Sequence, residues 1–113
     1  MRAGIAFSNN PNASQAGREA ASQAVAASGP PALTILFTTD AYDPQAVWTA
    51  VRAEIGSSKL VGFCCGGVIT VDGVHPQGVG VCALGGDIRV ATTLQGGLSQ
   101  NPFEAGRRAA IFT

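Results

Sequence analysis

The sequence predicts one α/β domain: a mixed five-stranded sheet in the order β-α-β-α-β-β-β-α, with the helices packed on the sheet. Three observations carry this prediction. Two apolar runs, residues 3–7 and 33–38, are each followed by turn residues and then by apolar positions at helical spacing. Further short apolar runs broken by glycine follow without an intervening helix pattern. Finally, Asn101-Pro102-Phe103-Glu104 marks a strong helix start near the C-terminus.

Residues 3–7 read as a first strand, ended by the turn cluster Ser8-Asn9-Asn10-Pro11. Ala13, Ala16, Ala20, Ala24 and Ala27 then recur at helical spacing, and a stripe of alanines lets a helix approach a sheet closely. Asn12 with Gln15 resembles a capping box, and Asn10-Pro11 is the rival start. Ser28-Gly29-Pro30-Pro31 stops the helix. Residues 33–38 (LTILFT) have the continuous apolar character of a strand buried on both faces. Asp43 as cap and Pro44 in the first turn open a second helix, with Val47, Val51 and Ile55 on its apolar stripe and Gly56 as its stop.

A third strand starts at residues 60–63 and is expected to continue through Gly66-Gly67 to Thr70. Residues 71–73 and 75–78 read as the following loop. Residues 79–84 and 88–94 then read as a hairpin turned by Gly85-Gly86-Asp87. The alternating first half favours parallel strands, and the hairpin adds antiparallel ones. The last helix carries no stop signal, so Ile111 and Phe112 are expected to dock on the body or on a second copy, unless the chain is a fragment.

With 113 residues there is room for one domain, residues 1–113. Charged residues make up 12%, about half the usual share, which suggests that part of the surface is covered by a partner or another copy. The net charge is zero, so the basic field that nucleic acid requires is missing. No run has the length of a membrane span and none has the pattern of a signal peptide, so a cytoplasmic domain is expected. The three cysteines, Cys64, Cys65 and Cys82, suit reduced thiols, because two are adjacent and the count is odd.

In order along the chain, Gly4-Ile5-Ala6-Phe7-Ser8, Ala16-Gly17-Arg18-Glu19-Ala20-Ala21, residues 33–38, Tyr42-Asp43-Pro44, residues 61–69 and Ala105-Gly106-Arg107 resemble successive segments of the FIST N-terminal region. Phe63, Cys64, Cys65 and Val68 stand where that family has Cys, Ser, Thr and an acidic residue. The family's domain is longer than this chain, so the resemblance implies an incomplete copy of it. It also implies an intracellular signal-input domain for small ligands such as amino acids. Some members are haem-based sensors.

The segment 62–67 is the most suggestive chemically. Two glycines after a strand bring backbone N–H groups to the surface as a nest for an anion, against a plain reading as a bulge beside two buried thiols. Ser8, Asn9, Asn10 and Asn12 follow the first strand, and Thr38, Thr39 and Asp40 end the second. Strand carboxyl ends are where open α/β sheets bind ligands, although capping alone accounts for the same residue types. The expected ligand contacts are therefore Ser8, Asn9, Asn10, Thr38, Thr39, Cys64, Cys65, Gly66 and Gly67. No catalytic residue, metal ligand or resident cofactor is assigned.

Two other readings stay open. Cys64 or Cys65 as the nucleophile of a thiol hydrolase would need His75, the only histidine, as base. His75 or a cysteine would also be the axial ligand of any haem. A zinc set from Cys64, Cys65, Cys82 and His75 lacks the required spacing. The remaining alternative is a structural domain that assembles a homo-oligomer, with a signalling partner domain as the other protein contact.

Overall fold

Three strands running the same way alternate with two helices, and a returning strand threads between the first two of them. The computed structural model describes residues 1–111. The elements are β1 (Arg2–Ser8), α1 (Ala13–Ser28), β2 (Pro31–Thr39), α2 (Pro44–Ile55), β3 (Lys59–Cys65), β4 (Val68–Thr70), β5 (Gly73–His75), β6 (Val79–Gly85) and α3 (Pro102–Ile111). The main sheet has the order β1-β6-β2-β3, and β4 and β5 form a separate two-stranded ribbon. β6 is antiparallel to both β1 and β2, whereas β2 and β3 are parallel neighbours.

The local signals work as their chemistry requires. Asn12 caps α1, its side-chain oxygen accepting from the Gln15 amide at 2.9 Å, and Gly29 closes the helix at φ 72°. Asp43 caps α2 and Pro44 begins it, with Gly56 at φ 62° as its end. Asn101 accepts from the Glu104 amide at 3.0 Å at the start of α3.

Both crossovers advance the same way across the sheet, so their common handedness puts α1 and α2 on one face. The core lies there. Ala16, Ala20, Ala21 and Ala24 of α1 and Val47, Val51 and Ile55 of α2 pack with Leu36, Val79, Val81 and Ala83 of the sheet. The alanine stripe brings α1 so near that a Cβ on Gly4 would stand 1.9 Å from the Ala24 carbonyl oxygen. Only glycine fits there.

The opposite face carries apolar side chains with no helix over them. One row across the strands reads Ile5, Cys82, Ile35, Val61, and the next reads Phe7, Gly80, Phe37, Phe63. Ile5 is 79% exposed and Phe63 57%. The rings of Phe37 and Phe63 meet edge to face at 4.9 Å.

The architecture corrects three expectations. The sheet is four-stranded, not five-stranded, and residues 88–94 are not a strand. The reason is pairing: β6 already has β1 on one side and β2 on the other, so it has no free edge for a hairpin partner. Gly85-Gly86-Asp87 still turns the chain, with Gly86 at φ 93° and the Ile88 amide donating to the Gly86 carbonyl at 3.0 Å. The third strand does not run through the glycine pair. It stops at Cys65, and Val68–Thr70 pairs instead with Gly73–His75, which the sequence suggested was loop. The element order is thus β-α-β-α-β-β-β-β-α. Phe112 lies outside the described residues.

Candidate functional site

Because β1, β2 and β3 run the same way, their carboxyl ends share one edge of the sheet. The register places Ser8, Val79, Thr38 and Cys64 in a single row there, with Thr39 beside Cys65 in the next. Residues from three separate segments of the sequence are thereby brought together. Ser8, Thr38 and Thr39 are buried, Cys65 is half-buried and Cys64 is exposed.

The Ser8 end of the row is occupied by its own hydrogen bonds. The Ser8 hydroxyl donates to Glu19 of α1 at 2.6 Å and accepts from the Asn10 amide at 3.2 Å. The Asn10 side-chain amide donates to Glu19 at 3.1 Å and to Gln15 at 3.0 Å. These bonds, that from Ser8 foremost, hold the Glu19 carboxyl below its usual pKa. The Tyr42 hydroxyl donates to the Asn10 carbonyl at 2.7 Å and ties this turn to the loop after β2. Asn9 is exposed. Glu19 and Tyr42 become partners of the turn only through the fold, which brings them beside it.

The middle of the edge is also built on internal bonds. The Thr39 hydroxyl accepts from the buried Gly78 amide at 3.1 Å, and the Thr39 amide donates to the Gly78 carbonyl at 3.2 Å. The Thr38 hydroxyl donates to the Thr39 carbonyl at 3.3 Å, and the Cys65 thiol to the Thr38 carbonyl at 3.6 Å. Gly66 and Gly67 have no left-handed φ, so the alternating backbone of an anion nest is not formed by this pair. They act as the joint between β3 and β4. Gly66 faces open space, and a Cβ on Gly67 would meet the His75 carbonyl oxygen at 3.1 Å.

At the β3 end the row opens. A recess of about 300 Å³ lies between α2 and β3, lined by Thr38, Cys64, Gly62, Phe63, Pro44 and Trp48, with Leu36 and Leu60 below. None of these side chains is charged. Trp48 supplies the aromatic wall, while the Thr38 hydroxyl and the Cys64 thiol supply the polar groups. Trp48, which the sequence pattern joins to the apolar stripe of α2, is instead 45% exposed beside the buried Val47, Val51 and Ile55 and opens to the recess. A larger groove of about 820 Å³ lies on the opposite face, between Ile5, Phe7, Phe37 and Cys82 of the sheet and the β4–β5 ribbon.

His75 is engaged elsewhere. Its Nε2 lies 2.8 Å from the Thr70 hydroxyl, and its ring stacks on Phe7 at 4.2 Å. A haem iron would need that nitrogen as its axial ligand, so His75 as placed does not fit such a group. Among the described residues, no three His, Cys, Asp or Glu side chains gather as a metal site. No described helix is long and apolar enough to cross a membrane.

No curated protein and no solved structure matches the chain. Residues 32–111, well over half of the sequence, match the FIST N domain. That span runs from β2 through the recess of Thr38 and Cys64 to α3, while Ile5, Phe7 and Gln23 of the larger groove precede it. The chain belongs to the FIST family.

Proposed function

We propose that this domain is a non-enzymatic sensor of a small molecule, holding its ligand in the recess between α2 and β3. The FIST family is signalling-associated, which supports a sensory role. The observation that carries the reading is the convergence of Thr38, Cys64 and Trp48 on one uncharged opening at the strand carboxyl ends. A cavity of about 300 Å³ suits a ligand the size of an amino acid. The lining selects for an apolar side chain against Trp48, Leu36 and Leu60, while ammonium and carboxylate groups remain in water at the mouth. Burying either charge without a partner would cost too much.

A thiol hydrolase is the weaker reading, because an activated thiolate needs an adjacent base. The ring nitrogen of His75 is spent on Thr70. A soluble cytoplasmic setting accompanies the sensory proposal.

Trp48 is the only tryptophan, so its emission reports directly on the recess. The test is a fluorescence titration with each of the standard amino acids, repeated on Thr38→Val and Cys64→Ser. A saturable change with at least one apolar amino acid, weakened about tenfold in either variant, supports the proposal. The absence of any saturable change into the millimolar range would overturn it.

A further inference from the structure

The groove on the sheet face away from α1 and α2 has a complementary surface on the same chain. α3 turns Ala105 inward, where it is buried, and half-buries Ala109 one turn on. The opposite stripe of the helix, Phe103, Arg107 and Ile111, faces solvent. Phe103 is 79% exposed and Ile111 63%, although either would be a core residue in most domains. Across the molecule, Ile5 of the groove floor and Ile69 of its wall are each 79% exposed. Asp72 stands in the lining of that groove, and no basic residue lines it. No α3 residue lines it either.

We infer that the groove is an interface for a second copy of this chain, each copy placing the outer stripe of its α3 into the groove of the other. The dimensions agree. The groove floor crosses β1, β6 and β2, about 14 Å at the usual spacing, and a helix of 10 residues is about 15 Å long. The charges agree as well: Arg107, held by Glu104 of the same helix at 2.6 Å, stands on the stripe that meets Asp72 on the rim. A two-fold arrangement uses both contacts twice. Burying Ile5, Ile69, Val71, Phe103 and Ile111 in both copies removes roughly 1,000 Å² of apolar surface, the size at which specific interfaces begin. The low charged fraction of the chain, 12%, has the same explanation. The interface lies on the other face from the recess of Thr38 and Cys64, so it stands independently of the sensory proposal.

The test is the mass in solution, by light scattering coupled to size exclusion, for the full chain and for Phe103→Asp and Ile5→Asp. Both positions are exposed in one copy, and circular dichroism and thermal melting check that each variant folds. A dimer for the full chain and monomers for both variants is the expected result. If Ile5→Asp does not fold, Phe103→Asp decides, because it lies outside the sheet. Mixing the two variants should restore a dimer with one intact contact, as one supplies the groove and the other the helix. Exchanging the charges supplies a second readout: Asp72→Arg weakens association about tenfold, and adding Arg107→Asp recovers it. A monomeric full chain, which is also what α3 closing into its own groove would give, overturns the inference. So does a dimer indifferent to Phe103→Asp.

Discussion

The Ser8 hydroxyl donates a 2.6 Å hydrogen bond to the carboxylate of Glu19, joining the end of β1 to the second turn of α1. An ionised Glu19 can only accept, and it accepts from Asn10 as well. Protonation removes that capacity in part. Because its folded pKa lies below the usual value, Glu19 contributes stability above the ordinary carboxylate range. The contribution fades as pH falls through the folded value. Acid unfolding followed by circular dichroism should therefore begin at higher pH in Glu19→Gln than in the unaltered chain, whose Glu19 stays ionised to lower pH. Identical acid transitions would remove this account of the turn.

Tyr42→Phe keeps the buried ring and deletes only the bond to the Asn10 carbonyl. The expected loss is about 1 kcal/mol in urea denaturation. Since Asn10 is shared, combining it with Glu19→Gln should give less than the sum of the two losses. Strict additivity would show that the turn is not a single network.

Gly4→Ala puts a methyl group against the Ala24 carbonyl, where nothing but backbone can move. α1 must shift away from the sheet, at a cost of about 1–3 kcal/mol or more. Equilibrium unfolding of this variant should show a lower midpoint with an unchanged slope. A neutral result would contradict the close approach of α1 to β1.

The three thiols should label in a defined order with iodoacetamide, read by mass spectrometry of peptides. Cys64 is exposed and opens to the recess, whereas Cys65 is half-buried and donates to the Thr38 carbonyl. Cys64 is expected to react first, and a ligand that changes Trp48 emission should slow it. Faster labelling of Cys65 or Cys82 would place the accessible thiol elsewhere.

By itself the sequence determined what is decided within a few residues. Asn12, Asp43 and Asn101 bond amides two or three positions along, and Gly29 and Gly56 supply the left-handed φ that ends a helix, so both ends of α1 and α2 were legible. The strand-end residues Ser8, Thr38, Thr39, Cys64 and Cys65 were legible as a group for a similar reason, because alternation of strand and helix implies a common edge. Only the tertiary structure decided which strand pairs with which. β6 satisfies two neighbours from distant segments, and this cancels the hairpin that residues 79–94 suggest locally. The same is true of the recess walls and of the Glu19 and Tyr42 bonds, which join residues 11 and 32 positions apart. Backbone hydrogen bonding and burial are settled over the whole sheet at once, and no local pattern of residues encodes which distant edge will be free.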